Sequence, residues 1–331
     1  MKAQSHTPTI TCVGEVLVDL IGTAPGALPQ VPGFVKALGG EAANVAVGLA
    51  RLGSRVRFVG RVGADAFGKF LVSELNKNAV DTGGVIFDKN HKTRLAFVFH
   101  SEDGERGFEF WEKEPAGEQL CSADIDFGAL AASRIVNIAP LLFMNEPARS
   151  TAFEIAEEVA KRGSAVAFDP NIRLALWKSA AEAKRVLLHM VRRSSLLRLN
   201  DEEATFLTGE SDIASAASRL RALGPALVAI TLGAKGCYVQ SARGGTFVRG
   251  FKVKPLDTTG CGDAFFAALL HGIATAGAAV GDLSVEELIA ICRFANAVGA
   301  LTALKRGGAA AIPHPERVAR FLKKHHRESA R

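Results

Sequence analysis

Short blocks of β-branched and other apolar residues alternate along this chain with alanine-rich stretches whose apolar positions recur every three to four residues. That rhythm predicts parallel βα units. ITCVGEVLVDL (10–20) opens as a strand, and NVAVGLARLG (44–53) reads as a helix closing on Gly53. RVRFVGRVG (55–63) is the next strand and FGKFLVSELNKNAV (67–80) the next helix. Further strands are expected in SRIVNIAP (133–140), SAVAFDP (164–170), SLLRLN (195–200) and ALVAITLG (226–233). Between them, ARSTAFEIAEEVAKRG (148–163) predicts a helix with a basic last turn and Gly163 at its C-terminal cap, and AAEAKRVLLHMVRRS (180–194) another. The fold class is therefore α/β: a doubly wound αβα sandwich with a mainly parallel central sheet, whose ligands are expected at the carboxyl edge.

One stretch breaks the rhythm. TRLAFVFHSEDGERGFEFW (93–111) predicts two antiparallel strands around a polar DGER turn, with no helix between them. A hairpin in a doubly wound core suggests a small β-lid, inserted from about 90–115 and partnered by the Pro- and Gly-rich stretch 19–35, within a single domain spanning 1–331. RLAFVF leaves apolar residues on at least one face, so a homodimer through the lids is expected.

Composition narrows the class. The 331 residues are 48% hydrophobic and 22% charged, which suits a well-packed globule. No apolar run has the length of a membrane span, and the first is interrupted by Glu15 and Asp19, so neither a membrane nor a signal peptide is expected. Cys12, Cys121, Cys237, Cys261 and Cys292 are scattered without CxxC spacing, as expected of reduced thiols in the cytoplasm. The net charge of +6 is concentrated in ERVARFLKKHHRESAR (316–331), where six Arg or Lys face two Glu. This reads as a solvated terminal helix with Val318, Phe321 and Leu322 toward the body, and His325 and His326 in solvent. With no basic stripe interleaved with aromatics, no nucleic-acid partner is expected.

Two stretches could carry chemistry. GADAFGKF (63–70) nearly spells a phosphate-cradling P-loop, but Phe70 stands where a hydroxyl must hold magnesium, and Asp65 would put a negative charge into the phosphate nest. It reads instead as a strand-to-helix turn. DTTGCGDAFFAALLHGI (257–273) is different. Gly260 and Gly262 around one small residue let backbone amides converge ahead of a helix, forming an anion site beside Asp263. A carboxylate there can accept a proton from an attacking hydroxyl, and the amides can stabilise a transferring phosphoryl group. A Rossmann oxidoreductase is excluded, since no GxGxxG opens a helix after the first strand.

DTTGCGDAF resembles the C-terminal signature of the phosphofructokinase-B/ribokinase family of carbohydrate kinases. GGEAANVAVGLARLG (39–53) resembles that family's N-terminal signature and GRVGADAFGKFL (60–71) the segment after it. LNDEEATFLTG (199–209), TLGAKGCYV (231–239) and RGGAAAIP (306–313) are similar to its Asn-x-x-Glu, nucleotide-loop and closing segments, so the resemblance runs in order from about residue 10 to 315. It implies a ribokinase-like fold and phosphorylation of a free sugar by ATP, with Mg²⁺ and K⁺. Asp263 would be the catalytic base, with Gly260, Cys261 and Gly262 as the anion hole. Asp19, Gly39, Gly40 and Asn44 would hold sugar hydroxyls; Asn200 and Glu203 would organise phosphate and hydrated Mg²⁺. Thr231, Gly233 and Gly236 would border the nucleotide, with Asn296 near its base. Asp257 and Thr259, with carbonyls of 303–311, would build the K⁺ site.

Within the family, DPNIRLALW (169–177) is similar to the fructokinase pattern, which makes D-fructose the expected substrate. 2-Keto-3-deoxygluconate kinases share part of that pattern, and Arg173 could serve sugar oxygens or a carboxylate. Residues 101–118 carry seven acids against two bases, Glu112 standing where an arginine is common, so an acidic sugar would be repelled if that face lined the site. Another sugar or nucleoside kinase is the alternative. A sugar-binding regulator derived from a kinase would be expected to have lost Asp263 or Glu203. Cys261 replaces the usual alanine: a thiol at a helix N-terminus could have a lowered pKa and be redox-sensitive, or simply be a tolerated small side chain.

Overall fold

A computed structural model of the chain describes residues 9–100 and 106–329. In chain order the strands are β1 (Thr9–Val13), β2 (Leu17–Gly22), β3 (Phe34–Gly39), β4 (Arg55–Gly63), β5 (Asp81–Asp88), β6 (Leu95–His100), β7 (Arg106–Trp111), β8 (Ile135–Ile138), β9 (Ala165–Phe168), β10 (Leu196–Asn200), β11 (Leu227–Thr231), β12 (Gly236–Ser241) and β13 (Gly244–Arg249). The helices are α1 (Glu41–Arg51), α2 (Ala66–Lys77), α3 (Phe127–Ala131), α4 (Ala148–Lys161), α5 (Ala180–Val191), α6 (Asp201–Thr208), α7 (Ile213–Arg221), α8 (Cys261–Ala276), α9 (Val285–Thr302), α10 (Gly308–Ala311) and α11 (Pro315–Ser329).

Nine strands form one sheet in the order β13-β12-β11-β10-β9-β8-β1-β4-β5, parallel from β11 to β5 and antiparallel at the β12–β13 edge. Two apolar cores flank it. One gathers α1, α8 and α9, and the other α4, α5 and α7, as a doubly wound sandwich requires. Strand order reverses between β8 and β1, and the loops leaving the carboxyl ends of β1, β8, β9, β10 and β11 open onto one edge.

Helix α8 is apolar almost all round because it is covered almost all round. Residues 264–270 are fully buried or nearly so. A Cβ at Gly48 of α1 would lie 2.8 Å from the Cβ of Ala267, and one at Gly272 would lie 2.7 Å from Ile291 of α9. The glycines thus set the close approach of three helices.

The lid is a separate four-stranded sheet, β3-β2-β6-β7, with β2 and β6 parallel and the two outer pairs antiparallel. Its partner strands run across 17–39, wider than the 19–35 stretch singled out by its Pro and Gly content, because the sheet enters directly from β1 and ends on α1. The tip of the expected DGER turn, 101–105, lies outside the described residues. At the lid's base Arg94, 6% exposed, donates Nε to Glu15 Oε1 at 2.8 Å and Nη2 to Glu118 Oε1. Glu15 precedes β2, Arg94 precedes β6, and Glu118 follows β7, so one guanidinium ties together three chain crossings between body and lid.

The near-P-loop is a turn. Asp65 caps α2 by accepting from the Gly68 amide at 2.8 Å and binds the Thr93 amide and hydroxyl, both at 2.9 Å. In α11, Val318 is buried and Phe321 and Leu322 pack on the core as expected. His325 departs from expectation: its ring packs on Phe321 and Phe251 at 4.2 and 5.3 Å rather than standing in solvent. The His326 side chain lies outside the described residues.

Candidate active site

The carboxyl edge carries two cavities that meet at the start of α8. The larger, about 720 Å³, lies between lid and body; Asp19, Gly40, Asn44, Arg173, Asn200 and Asp263 all line it. The smaller, about 300 Å³, is bordered by Thr231, Gly233, Gly236 and Asn296. Gly260 and Thr259 face the first, Cys261 the second, and Gly262 both. Apart from Asn200, expected to serve phosphate but lining the larger cavity, residues expected to serve sugar and nucleotide thus fall in neighbouring spaces.

Asp263 sits on the first turn of α8, whose leading amides have no acceptor within the helix. Gly260 can cap that helix with a left-handed backbone, at φ 72°, while the Cys261 amide closes a turn onto the Thr258 carbonyl at 3.2 Å. Burial pushes the Asp263 carboxyl up to about 6; Asn44 and Arg198 pull it down, and Asp169 pushes it up. Asn44 Nδ2 donates to Asp263 Oδ2 at 2.8 Å.

Gly39 does not line the cleft. A Cβ there would come within 2.5 Å of the Asp19 carboxylate, so its contribution is to leave room for that side chain. Arg173 lies on the floor with its guanidinium 5.7 Å from the Phe108 ring of the lid, bridging the cleft by a cation–π contact. Ala96, Phe108 and Phe110 form the lid's inner face. Glu109 alternates to the opposite face and Glu112 is exposed outside the cleft. Glu109 and Glu112 therefore give no argument about substrate charge; among the described residues the acids lining the cleft are Asp19, Glu41 and Asp263, opposed by Arg173 and Arg198.

Asn200 and Glu203 form a reciprocal cap on α6: Asn200 Oδ1 accepts from the Glu203 amide, and Glu203 Oε2 from the Asn200 amide, both at 2.8 Å. Glu203 Oε1 accepts from the Ile172 amide at 2.7 Å, which ties α6 to the 169–173 loop. With both oxygens so engaged, these side chains suit a metal held mainly by phosphate oxygens and water. Asp257 Oδ1 accepts from the Thr259 amide and hydroxyl at 2.9 and 2.5 Å, and Oδ2 from the Gly307 amide at 3.1 Å. A half-buried carboxylate joining these two loops fits a monovalent cation.

Thr231 ends β11 and accepts from Arg198 Nη2 at 2.7 Å. Gly236, at φ 110°, could not bear a side chain, since its Cβ would lie 2.0 Å from the Val248 carbonyl. Asn296 Nδ2 donates to the carbonyls of Val248 and Arg249 at 3.1 and 3.2 Å, holding the wall of the smaller cavity. Cys261 is the opposite of an activated thiol: burial, then Asp257 and Asp263, push it up to about 12, against a smaller downward pull from Arg198.

Three residues at the site are absent from the sequence expectations. Asp169 accepts from Arg198 Nη1 at 2.6 Å and from the Asn171 amide at 3.0 Å. Arg198 is a lone charge inside the strand LLRLN, which was the signal available. Glu41 opens α1; burial, then Asp263 and Asp169, push its carboxyl well above the usual range.

The pfkB carbohydrate kinase family model matches residues 7–315. Fructokinase-2 from Solanum habrochaites is 36% identical over 325 residues, covering 98% of this chain and 98% of that one. The fructokinase structure from Xylella fastidiosa with bound ATP superposes with a TM-score of 0.87 at 29% identity, covering 97% of this chain and 99% of that one. A fructokinase double mutant from Vibrio cholerae, solved with fructose, ADP and potassium, gives 0.85 at 32% identity, with 96% and 98% covered. With its two meeting cavities and Asp263 at their join, this chain belongs to the pfkB family of carbohydrate kinases.

Proposed function

We propose that the enzyme transfers the γ-phosphoryl group of ATP, as its Mg²⁺ complex, to a hydroxyl of D-fructose. The observation that carries this is the position of Asp263, facing the larger cleft beside the amides that open α8, where the smaller cavity meets it. Fructose is favoured over 2-keto-3-deoxygluconate by the fructokinases among its relatives, one of them solved with fructose and ADP.

The chemistry follows from the placement. Asp263 takes the proton of the attacking hydroxyl; the sugar oxygen forms its bond to the γ-phosphorus as the bond to the bridging oxygen of ADP breaks. Amides of the first turn of α8 meet the negative charge on the phosphoryl oxygens. Asp19, Asn44 and Arg173 orient the sugar, and Thr231, Gly233, Gly236 and Asn296 shape the nucleotide cavity. Asp257 and Thr259 would hold K⁺, and the Asp257 carboxylate already ties the 259 turn to the Gly307 amide. The four-stranded sheet acts as a lid, excluding water that would otherwise take the phosphoryl group.

The lid's outer side carries half-buried Phe34 and Phe97 and an exposed Trp111, a surface suited to a second copy of the lid. We place the homodimer there; a monomer in sedimentation at micromolar concentration would refute it. No helix among the described residues is long and apolar enough to cross a membrane, and five free thiols suit the cytoplasm.

ADP release with Mg²⁺-ATP and K⁺ on fructose, 2-keto-3-deoxygluconate, ribose and adenosine tests the reading. Turnover on fructose, abolished in Asp263→Ala, is expected. Turnover on the keto acid alone would overturn the substrate.

A further inference from the structure

We propose that Arg198 is a catalytic residue, whose guanidinium binds the phosphoryl group as it passes from nucleotide to sugar. This rests on the kinase reading above and adds to it a cation at the crossing point.

The argument begins with location. Arg198, Thr258 and Gly262 line both cavities, and Arg198 is the charged one of the three. It lies opposite the first turn of α8: a Cβ on Gly262 would sit 2.8, 2.9 and 3.1 Å from its Nη1, Nη2 and Cζ. Glycine at 262 thus lets the guanidinium lie flush against the helix amides. Any side chain there would push the two apart.

The second strand of the argument is how it is held. A guanidinium carries five N–H donors in one plane. Asp169 engages Nη1 at 2.6 Å and Thr231 engages Nη2 at 2.7 Å, while Nε has no partner among the described residues. A cation on a central strand, 9% exposed, costs several kcal/mol to desolvate, which an ion pair with Asp169 only partly offsets. A purely structural pair would be served as well by two apolar side chains. A fixed cation between two ligand spaces is served by nothing else, and arginine's planar fork matches phosphate oxygens.

In the transfer, the sugar oxygen bonds to phosphorus, the electron pair of the broken bond leaves with ADP, and the hydroxyl proton goes to Asp263. Arg198 takes no proton. Its guanidinium meets the non-bridging oxygens beside the α8 amides, so that cation and amides face the phosphoryl group together.

Arg198→Met tests this, with fructose turnover read beside ADP binding and the binding of ADP with aluminium fluoride and fructose, a mimic of the transferring group. The expected result is a fall in kcat of about 100- to 1000-fold, an equal loss for the mimic, ADP affinity within about 3-fold, and partial rescue in Arg198→Lys. If Met strands Asp169 and prevents folding, Asp169→Asn with Arg198→Met removes both charges together, and the same pattern is expected. A folded variant with kcat within about 3-fold of the unaltered enzyme, or an ADP affinity that falls as far as that of the mimic, would overturn the proposal. Failure of the unaltered enzyme on fructose would overturn the substrate reading instead, and the comparison would then use the sugar it does phosphorylate.

Discussion

Asn44 donates its side-chain amide to Oδ2 of Asp263 at 2.8 Å, joining the first turns of two helices whose residues stand 219 positions apart. The bond holds the base toward the cleft and favours its charged form against the burial that disfavours it.

The pH profile should report this. Asp263 must be ionised to act, so kcat should fall about tenfold per pH unit below about 6 and level off above it. Asn44→Ala removes a hydrogen bond to a carboxylate, which is worth about 1.5–3 kcal/mol, or about one to two pKa units. The acid limb should therefore move to higher pH. A limb that stays in place, with activity merely lowered at every pH, would limit Asn44 to contacts with the sugar.

Gly39→Ala should separate the two cavities kinetically. Its Cβ would displace the Asp19 carboxylate, 2.5 Å away, without touching the nucleotide wall. The KM for fructose should rise about tenfold or more, as expected for misplacing one buried polar contact, with the KM for ATP unchanged. Equal changes in both constants would count against Asp19 as a sugar ligand.

Asp257→Ala should remove the stimulation by K⁺. Its carboxylate joins the 259 turn to Gly307, and with it gone the difference in ADP release between K⁺ and choline buffers should disappear. A variant still stimulated to the same extent would place the cation elsewhere.

Alkylation at neutral pH should spare Cys261. Burial and two neighbouring acids keep it a thiol, so mass mapping after brief iodoacetamide treatment should find it unmodified and activity intact. Rapid labelling with loss of activity would restore the redox reading.

Arg94→Met should destabilise the protein by about 3–5 kcal/mol, because it leaves the buried Glu15 and Glu118 facing each other. Denaturant unfolding reads this directly. Adding Glu15→Gln and Glu118→Gln should recover much of the loss; a triple variant as unstable as the single one would mean that packing, not charge, is at stake.

The strands and helices were legible because their periods differ, and the loops with chemistry because glycine and acid recur at fixed spacing around 257–263. Asp263 could be placed that way, whereas Asn44, Gly233 and Gly236 came only with the resemblance to the kinase family. Arg198 could not: a single charge in LLRLN has no period, and its meaning depends on Asp169 and Gly262 arriving from separate elements. Glu109 and Glu112 misled for a related reason. Alternation puts Phe108 and Phe110 on one face and Glu109 on the other, but a strand's own sequence does not say which face meets the cleft. His325 was misjudged because its basic neighbours conceal two aromatic partners, one of them 74 residues away.

The Arg94 clamp bears on how the enzyme opens. A sheet whose root is fixed by buried charges would give by bending along its strands rather than by pivoting at its base, as a leaf spring does and a door does not. Asp19 and Ala96, close to that root, would then be displaced least among the cleft-facing residues of the sheet.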